Sequence, residues 1–570
     1  MNQHTIQQHQ MEQRPTDLFH NPVIPGFYPD PSICRVGDDY YLVCSSFSLF
    51  PGIPIFHSRD LVRWEQIGNV LDRPSQLHVT ADHLGAGIMA PTLRFHDGTF
   101  YVIGTNFSDR GNFIVTAENP AGPWSDPMWL PDVTGIDPSL FFDADGSCWV
   151  TGTWRERKED GTDAGQAIWL GRLDLAAGKL AGPRKTIWRG AMVDAWCPEA
   201  PHLYFRNGWY HLVIAEGGTE HFHAVTVARS RMIDGVYEGY PGNPVLTHRN
   251  LGWDFPICNV GHADLVETAR GEWFAVLLGS RLIGGYHKNL GRETFLVPVS
   301  WERDWPVFCP GTGKVEWTYP CPVVAAEPSG ARPVSPDDKA SVRDDFDAAA
   351  LDPSWVFFGT PYQPFHRLDD GKLALKLLPR PLVQDLKGID VTAPPRVDPN
   401  EPTLAFIGKR QCHTSFRMTT RMTFLPVTPW ETAGLVVMQA DNHQFRLERW
   451  LEDGRHGLRL VCVTCRVNHP PHLPGYESDT TETTLAWAEV DDSTLELEVT
   501  ATGQNHVFRY RVPDGEWNLL GAADGRLINP ESIGGMVGTV LGVHASANGH
   551  KSANEAVFDW FGYEGMDAGA

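Results

Sequence analysis

Three acidic residues stand in closely similar surroundings far apart in the sequence. They are Asp30 in Asp-Pro-Ser-Ile, Asp137 in Asp-Pro-Ser-Leu and Glu199 in Glu-Ala-Pro-His-Leu, and each precedes a residue pair with an aromatic member by 10 or 11 positions. A single Asp before Pro is most often a turn former. Three carboxylates at one spacing indicate a site instead, because crowding like charges costs stability whereas acid–base chemistry requires it.

The chemistry that fits such a trio is hydrolysis of a glycosidic bond. One protonated carboxyl donates to the leaving oxygen, and a second, ionised carboxylate activates water or attacks the sugar carbon. The sequence contains no HExxH, no GxSxG and no glycine-rich loop between a strand and a helix, so no competing catalytic motif is convincing. Its 20 Trp, 28 Phe and 14 Tyr residues would supply apolar faces for sugar rings.

The elements that must position these carboxylates form a repeat. A turn, an aromatic pair and an apolar run recur at 37–43, 97–103, 145–151, 207–213 and 270–276. Each copy predicts a β-hairpin, and about four short strands repeated around an axis predict a propeller blade. We therefore predict an all-β fold with a five-bladed β-propeller. A spacing of 10 or 11 residues to the pair makes Asp30, Asp137, Glu199 and His262 equivalent in the repeat, so they should meet at one end of the central channel.

The rest of the chain divides by composition. We interpret residues 1–20 as a polar N-terminal tail, 21–321 as the propeller and 322–342, rich in Pro, Ala and Ser, as a linker. Alternating segments over 343–566 predict a C-terminal β-sandwich of the concanavalin A-like type.

Composition excludes several classes of partner. Against 70 Asp and Glu there are 47 Lys and Arg, and the resulting charge of −23 disfavours nucleic acid. The sequence has no run of roughly 18 apolar residues, so no membrane span is predicted. The first twenty residues show no secretory pattern, and we therefore expect a cytoplasmic protein. The ten cysteines are expected to be reduced thiols. A homo-oligomer is left open.

One family shares the surroundings of these residues. The chain resembles glycoside hydrolase family 43, and most closely its β-xylosidase/α-L-arabinofuranosidase branch, in the segments Asn21-Pro-Val-Ile-Pro-Gly-Phe-Tyr-Pro-Asp30, Phe50-Pro-Gly52, Ser58-Arg-Asp-Leu-Val-Arg-Trp64 and Gly261-His-Ala263. The resemblance implies an inverting mechanism, with the two catalytic carboxyl groups about 6.5–9.5 Å apart. It also implies that Asp30 is the general base, Glu199 the general acid, and Asp137 the residue that raises the pKa of the acid and orients it.

Further roles follow from the same resemblance. Arg292 matches an arginine that binds substrate hydroxyls, with an ion pair to Glu293 or Asp254 as the structural alternative. His262 matches an axial histidine that in some members lies near Ca²⁺ or another cation, with a buried hydrogen-bonded histidine as the alternative. No cofactor is expected to be required.

The walls of the sugar pocket are also expected from the family. Phe47 and Phe50 are wall candidates, although core packing would explain either. Met89 stands where the xylosidase branch typically has Trp, which indicates a roomier pocket and weakens the choice of xyloside over arabinofuranoside. A loop of the sandwich near 534–538, with Met536, is expected to close the channel into a pocket, which predicts exo action.

The sequence thus predicts an exo-acting inverting hydrolase. It would release terminal β-1,4-xylose, α-L-arabinofuranose or both from xylo- or arabinoxylo-oligosaccharides. A catalytically silent propeller with a lectin-like sandwich is one alternative. A fructan-cleaving hydrolase is another, although the Asn-Asp-Pro-Asn-Gly signature usual in that class is missing.

Overall fold

The computed structural model describes residues 18–79, 85–157, 160–192, 196–322, 341–383, 403–467, 478–533 and 536–567. Their regular secondary structure is almost wholly antiparallel β-strand. None of the helices among these residues is long and apolar enough to cross a membrane. In chain order, the strands of residues 18–320 are β1 (Leu18–His20), β2 (Ser32–Val36), β3 (Asp39–Val43), β4 (Leu49–Phe50), β5 (Gly52–Ser58), β6 (Glu65–Leu71), β7 (Ile88–His96), β8 (Thr99–Asn106), β9 (Gly111–Ala117), β10 (Met128–Trp129), β11 (Ile136–Phe142), β12 (Cys148–Arg157), β13 (Asp163–Asp174), β14 (Lys179–Leu180), β15 (Lys185–Trp188), β16 (Glu199–Arg206), β17 (Trp209–Glu216), β18 (Ala224–Ser230), β19 (Glu238–Gly239), β20 (Leu246–Thr247), β21 (Ile257–Glu267), β22 (Trp273–Arg281), β23 (Glu293–Glu302), β24 (Trp305–Phe308) and β25 (Thr318–Pro320).

These strands form the five predicted blades. Blade one is β2-β3-β5-β6, blade two β7 to β10, blade three β11 to β14 with β15, blade four β16 to β19 with β20, and blade five β21 to β24. The first strand of each blade contacts the first strands of its two neighbours, and β2 closes the ring against β21. All five aromatic repeats lie on the second strand of a hairpin, so the propeller prediction is confirmed.

Two predicted boundaries need correction. Strand β1 pairs with β25, and Phe19 is buried against Tyr319 with ring centroids 5.9 Å apart. Residues 18–20 therefore fasten the two ends of the propeller together and are not part of a free tail. Strand pairing of the sandwich already begins at residue 341, one residue before the end of the predicted linker. Residues 323–340 of that linker lie outside the described residues.

The C-terminal domain is a sandwich of two antiparallel sheets. Its elements are β26 (Ser341–Asp344), β27 (Phe357–Phe358), β28 (His366–Leu368), β29 (Leu373–Lys376), β30 (Phe406–Arg410), β31 (Ser415–Thr423), β32 (Thr432–Ala440), β33 (His443–Glu452), β34 (Arg455–Val467), β35 (Ser478–Glu489), β36 (Thr494–Thr502), β37 (Asn505–Arg511), β38 (Asn518–Asp524), a 3-10 helix (Gly525–Leu527), α1 (Pro530–Ile533), β39 (Val540–Ser546) and β40 (Glu555–Gly565). One sheet runs β28-β29-β40-β31-β36-β37-β38, with β26 on β40, and the other runs β30-β39-β32-β33-β34-β35.

The sandwich packs directly on the propeller. Strand β27 pairs with β4, which lies in the connection between β3 and β5 of blade one, and the rings of Phe50 and Phe357 lie nearly parallel at 6.3 Å. A second apolar cluster joins Phe27 and Phe47 of the propeller to Val436 and Val540 of the six-stranded sheet. Because Phe27 and Phe47 flank the first hairpin of blade one, this contact places the sandwich beside the end of the channel where the carboxylates lie.

Candidate active site

A ring of left-handed backbone positions marks one end of the channel. Each blade supplies one, and the five are Asp30 (φ 55°), Ala90 (φ 40°), Asp137 (φ 53°), Ala200 (φ 50°) and His262 (φ 54°). Positive φ is uncommon for residues other than glycine and costs of order 1–3 kcal/mol. In blades two to five the strand register shifts at this point. Such bulges bend a strand and re-aim its side chains, often beside active sites.

The ring corrects one part of the sequence prediction. Ala200, and not Glu199, occupies the position of Asp30 and Asp137. The assignment of Glu199 was wrong because the aromatic pair of blade four starts one residue too early. Its two-residue turn is followed directly by Trp209, whereas the same position in blades one and two is the non-aromatic Asp39 or Thr99. The counterpart of Tyr40 is therefore Tyr210, which lies ten residues after Ala200, as Tyr40 lies ten residues after Asp30.

Glu199 consequently stands one residue before the ring. It shares this position with Met89 of blade two and Ile136 of blade three, and all three are half-buried, whereas the ring residues are buried. The prediction that the carboxylates gather at one channel end holds, since the charges of Glu199 and Asp30 each act on Asp137. Their equivalence in the repeat does not hold for Glu199.

Asp30 lies in a polar, positively charged niche. Its Oδ1 accepts a hydrogen bond from Arg292 at 2.8 Å and lies 3.5 Å from Nδ1 of His262, and its Oδ2 accepts from the Ser45 hydroxyl at 2.6 Å. Burial raises the pKa of Asp30, but Arg292, His262 and Ser45 together outweigh burial, so its pKa lies below the ordinary value. Asp30 is therefore held ionised, as a general base requires.

Asp137 and Glu199 have the opposite electrostatics. Burial is the largest cause that raises the pKa of Asp137 well above its ordinary value, followed by the charges of Glu199 and Asp30. Burial also raises the pKa of Glu199, against hydrogen bonds from Cys197 and Gln166. The backbone N–H of Ala200 donates a hydrogen bond of 3.2 Å to Oδ2 of Asp137. Because burial and the repulsion between carboxylates both disfavour two ionised groups, the two carboxyls together retain a proton towards neutral pH. Burial therefore also favours the protonated form of Asp137 itself.

Arg292 is placed by a close packing of propeller and sandwich. The preceding residue, Gly291, has φ 74°, and a Cβ there would lie 2.6 Å from the carbonyl oxygen of Val537. The guanidinium of Arg292 contacts Asp30 and lies 5.5 Å from the ring centroid of Phe47. Its alternative partner Glu293 is bound instead by Arg281, at 2.7 and 2.8 Å.

His262 is a buried neutral histidine on the axis. Burial lowers its pKa, and Asp30 only partly opposes this. A Ca²⁺ ion takes six to eight oxygen ligands, but the carboxylate that contacts His262 already binds Arg292. The described residues contain no group of three or more His, Cys, Asp or Glu placed to hold a metal ion. This donor set does not fit a Ca²⁺ cage, and no step is assigned to a cation.

A buried charge network supports the ring from within the channel. Asp264, two residues after His262, accepts hydrogen bonds from the Ser32 hydroxyl at 2.7 Å, from Arg94 at 2.9 Å and from the Tyr204 hydroxyl. These partners belong to blades one, two and four, so one carboxylate of blade five ties four blades together. Burial opposes ionisation of Asp264, but Arg94 and the other partners hold its pKa below the ordinary value.

The candidate wall residues fall into two groups. Phe47 is buried beside Arg292 and pairs through its backbone with Ile88, so it lies at the carboxylate end. Phe50 lies in the interdomain core against Phe357, where packing, the alternative considered from the sequence, explains it. Met89 is half-buried against the cluster that contains Phe47.

The closing loop of the sandwich is described in part. Residues 534 and 535 lie outside the described residues, and Met536 is 39% exposed. Val537 and Gly538 pack against Gly291 and Phe27. The segment after Met536 therefore reaches the residue next to Arg292, in agreement with the expected approach of the sandwich to the channel.

Three residues of the site were missed by sequence reasoning. The Ser45 hydroxyl donates to Asp30 and accepts from the backbone N–H of Ala90, which links blades one and two. Cys197 and Gln166 both hydrogen-bond Glu199. Only Cys197 had a local signal, its position two residues before Glu199, because the other two depend on how the blades meet.

The site and fold have close counterparts among known proteins. Residues 19–306 match the family model of glycosyl hydrolases family 43, and residues 343–564 match that of the beta xylosidase C-terminal concanavalin A-like domain. A xylosidase/arabinosidase of Butyrivibrio fibrisolvens is 41% identical over 96% of this chain and 99% of its own length. A non-reducing end alpha-L-arabinofuranosidase of Bacteroides ovatus is 37% identical over 96% of this chain and 95% of its own length.

A solved structure extends this likeness to three dimensions. That of a xylan beta-1,4-xylosidase from Bacillus halodurans matches with a TM-score of 0.81 at 31% identity, and covers 96% of this chain and all of the other. Both domains are included in this match, as they are in the sequence relatives. With an all-β propeller and sandwich in the same order and matches over nearly its full length, the chain belongs to glycoside hydrolase family 43.

Proposed function

We propose that this glycoside hydrolase releases terminal pentose units, β-1,4-linked xylose, α-L-arabinofuranose or both, from the ends of hemicellulose-derived oligosaccharides, with inversion at the anomeric carbon. The observation that carries the proposal is the contrast in the surroundings of carboxylates at one channel end, where Asp30 accepts hydrogen bonds from Arg292 and Ser45 and Asp137 lies buried beside Glu199. Asp30 has a lowered pKa, whereas Glu199 and Asp137 have raised ones. Two carboxyls with separated pKa values are the requirement for acid and base roles at one pH.

The proposed mechanism uses each group in the protonation state that its surroundings favour. Ionised Asp30 removes a proton from a water molecule, which attacks the anomeric carbon. Protonated Glu199 donates its proton to the leaving glycosidic oxygen. Glu199 and Asp137 lie where ionising both would bring like charges together, so the pair keeps the proton that Glu199 donates. Arg292, fixed by Asp30, donates hydrogen bonds to sugar hydroxyls.

The identity of the released sugar rests on the pocket wall. Met89 is half-buried and packs near Phe47, and a flexible thioether can adapt to more than one ring shape. The names of the relatives include both xylosidase and arabinofuranosidase. A protein that accepts both pentosides agrees with both observations.

The test compares Glu199→Gln and Asp30→Asn with the wild type on xylobiose and on 4-nitrophenyl β-xyloside and α-L-arabinofuranoside. Loss of general-acid catalysis costs about 10²–10⁴-fold. We expect that loss for Glu199→Gln on xylobiose and a smaller one on the nitrophenyl substrates, whose leaving group needs little protonation. Asp30→Asn should lose activity on all three.

Glu267→Gln, at the exposed opposite end of the inner strand of blade five, is the matched control and should behave like the wild type. Proton NMR of the first-formed sugar anomer tests inversion. Full xylobiose turnover by Glu199→Gln would reject the acid assignment, and a wild type inactive on every pentoside would reject the proposed function.

A further inference from the structure

Exposed aromatic side chains gather on the channel end that holds the carboxylates. Trp196, Phe222 and Trp253 are 55%, 47% and 54% exposed. They lie in the segment before β16 and in the connections 217–223 and 248–256. Glu199 of β16 pairs with Ala215 near the end of β17, so these connections leave the blades at the carboxylate end. We call Trp196, Phe222 and Trp253 the aromatic ridge.

The three side chains of the aromatic ridge form a continuous row of ring contacts that includes the buried His221. Trp196 meets Phe222 edge-on at 6.1 Å, Phe222 meets His221 at 5.3 Å, and His221 stacks on Trp253 at 3.6 Å and 9°. Since one face of Trp253 lies on the buried His221, the exposed half of Trp253 presents its other face to solvent. A fixed flat aromatic face needs little ordering when it binds a ligand.

Each end of the ridge is anchored. At one end, the backbone N–H of Gly217 donates to the carbonyl of Trp196 at 2.8 Å. At the other, Trp253 packs edge-on against Tyr286, which lies beneath the ammonium of Lys288 at 4.4 Å. Lys288 is buried and forms ion pairs with Glu220 and with Glu531 of the sandwich. The sandwich therefore supports the ridge, although the aromatic faces belong to the propeller.

The geometry points to a binding site for the leaving-group sugars of an oligosaccharide, an inference that rests on the proposed function. Trp196 lies three residues before Glu199, and the whole ridge belongs to blades four and five, on the side of the acid. Because the general acid protonates the leaving oxygen, the remaining sugar chain must extend past Glu199. Neutral xylose rings have apolar faces that stack on Trp and Phe, so we infer that two or more xylosyl units lie along the ridge.

The test separates substrates with and without sugars on the leaving-group side. Xylotetraose would cover the ridge. A xylosyl fluoride fills only the pocket, because its leaving group is a small fluoride ion. We expect Trp253→Ala to lower kcat/KM for xylotetraose by about tenfold, equal to about 1.4 kcal/mol, and to leave kcat/KM for the fluoride within about twofold. Phe222→Ala should behave in the same way, and Trp253→Phe should retain most of the xylotetraose activity.

Trp487→Ala is the matched control, because Trp487 is 58% exposed on the sandwich strand β35 and should affect neither substrate. Equal losses on xylotetraose and fluoride would overturn the inference, since the ridge would then act through the pocket. An unchanged xylotetraose rate in both alanine variants would also overturn it. The inference would also be overturned if light scattering showed that the alanine variants change from oligomer to monomer while their catalysis stays intact. The ridge would then be a subunit interface. A wild type inactive on both substrates would reject the proposed function itself.

Discussion

The pKa of Asp30 should be controlled by Arg292, and replacing that arginine tests the electrostatic basis of the site. The two residues are only 5% and 6% exposed, with the ionic atoms 2.8 Å apart. Coulomb's law with an effective dielectric constant of about 20 gives about 6 kcal/mol for this distance, an upper value. Arginine next to an aspartate lowers its pKa by about 1–3 units in proteins, which is about 1.4–4 kcal/mol. We therefore expect Arg292→Met to raise the pKa of Asp30 by that amount.

The sign of the effect on activity follows from the role of Asp30. A base works only when ionised, so in the wild type activity falls as the pH drops through the lowered pKa of Asp30. In Arg292→Met the same fall should occur about 1–3 pH units higher. The assay is the pH dependence of kcat/KM on a nitrophenyl pentoside, which reports the free enzyme. Because Arg292 also contacts substrate in our proposal, we compare the pH at which kcat/KM falls on the acidic side of the profile (the acid limb), and not the maximal kcat/KM.

Two variants calibrate the result. Arg292→Lys keeps the positive charge but loses the planar fork, so its rate should fall while the acid limb stays near that of the wild type. Ser45→Ala removes one hydrogen bond of 2.6 Å from ionised Asp30 and should move the limb to higher pH by about 1–2 units. An acid limb in Arg292→Met that coincides with the wild-type limb would refute the reasoning.

Three further predictions concern other parts of the site. Cys197→Ala removes a hydrogen bond that lowers the pKa of Glu199, so the alkaline limb of the kcat/KM profile should move to higher pH; an unmoved limb would contradict the contact. Asp264→Ala leaves Arg94 buried without its carboxylate and should cost about 3–5 kcal/mol in urea unfolding at neutral pH. The contribution of Asp264 to wild-type stability is fully present above its ordinary pKa and should be lost as pH falls through its lowered folded pKa; a variant of wild-type stability would refute this. Met89→Trp should narrow the pocket and raise the ratio of kcat/KM for β-xyloside over α-L-arabinofuranoside by about tenfold, and an unchanged ratio would remove Met89 from the wall.

The fold could be predicted because its signals are local. Each hairpin has turn residues followed by an aromatic and apolar strand, and in blades one and two the register closes a two-residue turn containing Gly37 or Gly98, both with positive φ. The contacts that define the site are not local. The contact from Arg292 to Asp30 spans 262 positions and exists only because β21 meets β2 when the ring closes. Spacing places a residue on a blade, but it does not show which neighbour its side chain will meet.

The offset of Glu199 by one residue from the ring position has a functional consequence. Asp30 and Asp137 lie at the ring position and are buried, whereas Glu199 lies one residue earlier in its strand and is half-buried. One residue is about 3.3 Å along a strand, and successive side chains point to opposite faces. The ring position alone does not set the pKa, because Asp30 and Asp137 both lie there and their pKa values shift in opposite directions. The displacement of Glu199 towards solvent places the acid on the side by which the sugar chain must leave, and keeps the base in the positively charged niche of Arg292.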